Sequence, residues 1–157
     1  MELELAGRAR LTHLNLRKEF HGEDVALGVD LRLIYAGGME DLVHFGAALK
    51  ALLYEGQSPR LPYLKPLQLT CAYEEHVLHI SDMTFDGTTL SKFQITTSAE
   101  GHVEIAFNAS ISAVDMASLP ALGALLLIEE VNIDIEPVQG ELFKEPSAAV
   151  TELRTVQ

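Results

Sequence analysis

The chain has 157 residues, 48% of them hydrophobic, with one cysteine and a formal charge of −12 at pH 7. That length suits one domain able to bury a core without covalent staples, and a single cysteine excludes an internal disulfide and favours a reducing compartment. Residues 1–66 hold nine acids against eight bases, and residues 67–157 fourteen against three, so the second half repels a phosphate backbone and any nucleic acid would have to meet the first.

The opening Met1–Gly7 lacks the basic and apolar stretches of a secretion signal. Thr12 to Phe20 alternates loosely, with Leu14, Leu16 and Phe20 apolar, and His21-Gly22-Glu23-Asp24 reads as a turn. Val25, Leu27, Val29, Leu31, Leu33 and Tyr35 then recur at every second position, which marks a strand with one buried face. The two segments predict a long hairpin. After Gly37-Gly38 the period changes. Met39, Leu42, Val43, Gly46, Leu49 and Leu53 fall at helical spacing and predict a well-defined helix over about 39–55, with Glu40 and Asp41 in its first turn. Gly56 to Pro59 stops it, and a connector follows through Pro62 and Pro66.

Strands resume at Leu67, with Leu69, Cys71 and Tyr73 in phase. Glu74-Glu75 and Asp86-Gly87 read as turns, with a strand from Val77 to Ser81 between them. Phe93, Ile95 and Thr97 form one strand, Glu100-Gly101 a turn, and Val103 to Ile111 its partner. Asp115 is placed to cap a shorter helix over about 116–129, which Pro120 and Gly123 interrupt. The run Leu119 to Ile128 within it is too short to span a bilayer. Val131, Ile133 and Ile135 make a last strand that Pro137 ends. The expected fold class is α+β, mainly antiparallel hairpins, in a single domain over 1–138 with a mobile tail over 139–157.

Catalytic chemistry finds little support. His76 and His79 lie near Glu74, Glu75 and Asp82, but a spacing of three on a strand puts them on opposite faces, so no metal site is expected. Cys71 falls on an apolar strand face, where packing explains it. Neither a nucleophile elbow nor a phosphate-binding glycine loop occurs. The acid pairs Glu23-Asp24, Glu40-Asp41, Glu74-Glu75 and Glu129-Glu130 sit near turns or element ends, where adjacent carboxylates are solvated. Most rings are in phase with core positions; Phe20 and Tyr63 alone stand near bases. No cofactor is expected.

Four stretches, HLNLRKEFHGEDVALGVDLRL (His13 to Leu33), LPYLKPLQLTCAYEEHVLHI (Leu61 to Ile80), LSKFQITTSAEGHVEIAFNASI (Leu90 to Ile111) and EEVNIDIEPVQGELF (Glu129 to Phe143), resemble a family of small uncharacterised proteins of tailed bacteriophages and prophages. The resemblance covers most of the chain and carries no catalytic signature. It implies an early-region phage product encoded near recombination or replication genes, acting in the host cytoplasm.

The leading expectation is a non-enzymatic binding protein, an accessory in phage DNA replication or recombination that meets single-stranded DNA or a recombination protein and no membrane. Arg8, Arg10, Arg17, Lys18 and Arg32 would face nucleic acid. One alternative is an acidic decoy of a host defence protein, with Glu100, Glu104 and Asp134 occupying a basic groove. Another is a homo-oligomer that forms a ring through its sheet edges.

Overall fold

The apolar alternation builds nine strands among the described residues, which are 2–60 and 66–138 in this computed structural model. In chain order they are β1 (Leu5–His21), β2 (Asp24–Gly38), β3 (Tyr54–Glu55), β4 (Ser58–Pro59), β5 (Leu67–Leu69), β6 (Tyr73–Ile80), β7 (Met83–Thr97), β8 (His102–Ile111) and β9 (Val131–Pro137). β3 and β4 pair only with each other. Six of the rest pair in the order β1-β2-β8-β7-β6-β9, and β9 pairs back onto β1. Every pairing is antiparallel, so the sheet closes into a barrel that hides most of its edges. β5 continues the line of β6 along β7, with Leu69 opposite Phe93 and Tyr73 opposite Leu90.

The inward side chains fill the barrel. Leu33, Leu78, Leu90, Phe93, Ile105 and Phe107 are fully buried. Phe93 and Phe107 stack with ring centroids 5.7 Å apart, and Phe45 meets Phe93 edge-on at 5.0 Å, closing one end. Among the described residues no helix is long and apolar enough to cross a membrane.

Helical segments cover both ends. The predicted helix over 39–55 is not continuous. A 3-10 turn, Met39–Phe45, is followed by a break and then by α1 (Leu49–Leu53), only five residues long. The cause is Gly46, which sits at φ 153°, a conformation that favours glycine. Tyr54, inside the range expected for that helix, is drawn into β3 instead. Its buried hydroxyl donates to the carbonyls of Ser98 and His102, at 3.0 and 2.8 Å. At the other end Met116–Ser118, α2 (Leu119–Ala124) and Leu125–Leu127 follow without a gap, the outer pieces being 3-10. Asp115 caps this run through Ala117 N–H, and Pro120 lies in the first turn of α2, where its missing donor costs nothing.

Two predicted turns are bulges. Opposite β7, the stretch Tyr73 to His76 carries one extra residue, with Glu75 at φ 59°. Phe85 to Thr88 carries the compensating one, with Gly87 at φ 61°. The turn of that hairpin is Ser81-Asp82, as Ile80 pairs with Met83. The tail 139–157 and Tyr63 lie outside the described residues.

Candidate functional site

A bulge decides where the bases of β1 point. Leu11 faces Leu33 and His13 faces Arg32, so Thr12 is an extra residue. Before it Arg8 and Arg10 stand on the outer face; after it His13, Asn15 and Arg17 do. Lys18 falls on the opposite face, its Nζ 5.9 Å from the Phe20 ring centre. The five bases therefore do not form one strip.

Two of them are held by carboxylates of the fold. Arg8 pairs with Glu130 at 2.7 Å. Arg17 donates to Asp30 at 2.9 Å, Ser110 at 3.0 Å and the Ile111 carbonyl at 3.2 Å, and it also pairs with Glu19. Gly28 lies under that pair, and a Cβ there would collide with both Glu19 and Arg17. Ala113 N–H, then Arg17 and His21, pull the Glu19 carboxyl down to about 2. This cluster ties β1, β2 and β8 together. Among the described residues no carboxylate lies within ion-pair distance of Arg10 or Lys18.

Arg32 is placed differently. It is half-buried on β2, and Nη1 donates to the Lys92 carbonyl and to Asn108 Oδ1, both at 2.8 Å. The Lys92 carbonyl is available because β7 bulges there. Its register slips between Ser91 and Gln94, and Lys92 sits at φ 56°. Burial lowers the Arg32 pKa, and no neighbouring carboxylate offsets that effect. The result is an open groove of about 630 Å³ on the outside of the barrel. Arg32, Lys92, Asn108, Ser91, Gln68 and Gln94 supply its polar walls, and among the described residues no carboxylate lines it. A smaller groove of about 260 Å³ with His13 and Asn15 shares Arg32 and Asn108 with it. The one acid there, Asp30, is taken by Arg17 and Ser110.

A half-desolvated guanidinium held only by neutral oxygens favours an incoming anion. Lys92 was not among the residues picked out from the sequence, since it is the lone base of an acidic stretch. Its signal is the three-residue interval between Leu90 and Phe93, where alternation calls for two.

The remaining candidates stay apart. Glu100 lies in the β7–β8 turn, Glu104 on β8 and Asp134 on β9. Two strands separate β8 from β9 in either direction round the ring. His76 is buried and accepts Leu3 N–H through Nε2 at 2.9 Å, while Nδ1 donates to the Glu74 carbonyl at 2.9 Å, so its role is structural. His79 points outward between Thr84 Oγ1 and Glu136 Oε2, each at 3.0 Å. That hydroxyl–imidazole–carboxylate row spans three strands on an open surface. Cys71, half-buried, borders the groove. Burial, with a smaller effect of that thiol, pushes the Tyr73 phenol up to about 12. Among the described residues no three His, Cys, Asp or Glu side chains converge as metal ligands. Comparison with protein-family models, with curated proteins and with solved structures finds no match to this chain.

Proposed function

We propose that this chain is a non-enzymatic binding protein that holds single-stranded nucleic acid, as an accessory in the phage replication or recombination setting that the sequence resemblance implies. The observation that carries the reading is the groove at the β7 bulge. On a chain of net charge −12, it gathers Arg32 and Lys92 with amide and hydroxyl side chains, and no carboxylate of the described residues lines it. Anionic ligands are recognised by such donors, and a shallow open groove suits an extended backbone better than an enclosed small molecule. The acidic remainder would face solvent or a protein. The rival in which acids imitate nucleic acid needs a contiguous anionic face, and Glu104 and Asp134 stand on opposite sides of the ring.

Filter binding with oligothymidylate at low ionic strength tests the proposal. Saturable retention, lost in Lys92→Glu, is expected. No retention at low ionic strength, or equal retention by the Lys92→Glu protein, overturns it.

A further inference from the structure

We infer that the barrel end carrying the β1–β2 tip is a self-association surface whose occupant is a second copy of this chain. The inference goes beyond the nucleic-acid reading and does not rest on it.

On one face of the hairpin, Leu14 stands opposite Leu31, Leu16 opposite Val29, Lys18 opposite Leu27 and Phe20 opposite Val25. Toward the barrel this face is core, with Leu31 and Val29 at 1% and 0% exposure. Toward the tip the same face is bare, with Leu16 at 55%, Val25 at 60% and Phe20 at 70%. The apolar pattern therefore continues past the point where the protein's own core covers it. β9 pairs with β1 only from Leu5 to Ala9, so among the described residues no strand lies on that edge from Arg10 to His21.

The helical run at the same end adds a second bare strip. It leaves β8 at Ile111 and returns at Val131, packing inward through Leu122 and Leu125. Met116, Leu126, Leu127 and Ile128 stay exposed, Leu127 at 89%. Of the ten large apolar side chains exposed among the described residues, seven belong to these two strips. Scattered surface apolar residues need no explanation; a concentration at one end marks an interaction surface.

Charge selects the occupant. Among the described residues Lys18, between Leu16 and Phe20, has no ion-pair partner, nor does Glu129 beside Ile128; Asp24 beside Val25 and Asp115 beside Met116 are likewise outside any ion pair, Asp115 accepting Ala117 N–H. Glu130, next to Glu129, is already held by Arg8. A two-fold dimer would lay the Leu16–Phe20 strip of each copy on the Leu126–Glu129 strip of the other. It would cover both strips and form the Lys18–Glu129 pair twice.

The test is light-scattering mass during size exclusion of the full chain at micromolar to high micromolar concentration. Twice the chain mass is expected, falling to a single chain in Phe20→Asp and in Leu127→Asp. Both sites are exposed, so circular dichroism should show the variants folded. Lys18→Glu and Glu129→Lys should each weaken association about tenfold, since a two-fold interface counts the pair twice. The double charge swap should restore it. A single-chain mass at every concentration overturns the proposal, as does a dimer or larger ring that survives both aspartate substitutions. Weakening by both charge variants without recovery in the double swap overturns the assigned pairing of strips.

Discussion

Replacing Lys92 by Gln should change how nucleic-acid binding responds to salt, and the size of the change follows from the groove. Two cations line it, Arg32 and Lys92. Each single-strand phosphate neutralised releases about 0.7 counterion, so log affinity should fall against log salt with a slope of about −1.4. Between 50 and 200 mM salt that is a loss of about sevenfold. With Lys92→Gln, Arg32 alone remains and the slope should flatten to about −0.7, a loss of about threefold over the same range. Fluorescence anisotropy of labelled oligothymidylate across a salt series measures both lines. The control is Lys50→Gln, an exposed base of α1 that does not line the groove, which should leave the slope unchanged. Parallel lines for Lys92→Gln and the unaltered chain would refute the reasoning, because Lys92 would then act on the fold and not on a phosphate. Equal flattening by Lys50→Gln would refute it too, since net charge and not the groove would be responsible.

The same position should separate stability from binding. Lys92→Gly relieves a left-handed backbone at φ 56° and should raise stability by about 1 kcal/mol in urea unfolding, yet weaken oligonucleotide binding as Lys92→Gln does. A destabilised Lys92→Gly protein would contradict the strain. His76→Leu removes the acceptor of Leu3 N–H and the donor to the Glu74 carbonyl in a buried site, and should cost about 2 kcal/mol, with faster amide exchange at Leu3. Unchanged exchange there would show the staple to be idle. Glu19 titrates at about 2 in the fold against an ordinary 4.5, so its stabilisation is present in full above about pH 4.5 and is lost as the pH falls toward 2. Glu19→Gln should therefore be less stable at neutral pH and lose less on acidification; identical acid limbs in the two proteins would argue against the Ala113 and Arg17 bonds.

Much of the strand architecture could be read from the chain alone, because period two is a local property. Val29 to Tyr35, Val103 to Ile111 and Val131 to Ile135 are buried at alternate positions, as their sequence pattern requires. The Gly22 and Glu100-Gly101 turns hold for the same reason, since positive φ is a short-range demand. The errors were also local in origin. Gly46 lay inside a helical period that its own backbone preference broke. Glu74-Glu75 and Asp86-Gly87 carried turn chemistry that a bulge uses equally well. Intervals of three between in-phase residues mark all four bulges: Leu11 to Leu14, Tyr73 to His76, Phe85 to Thr88 and Leu90 to Phe93.

The candidate site was legible only in part. The sequence by itself determined which residues alternate and where charge concentrates. It grouped Arg32, which the fold leaves without a carboxylate partner among the described residues, with Arg8 and Arg17, which the fold commits to its own carboxylates. Only the tertiary structure decided that β8 pairs with β2 as well as with β7, bringing the Lys92 carbonyl onto Arg32 across sixty residues of chain. Strand pairing is a long-range choice made by the packing of the whole core. Which charges are neutralised, and which are left facing a groove, therefore follows from the ring order and not from any local run of residues.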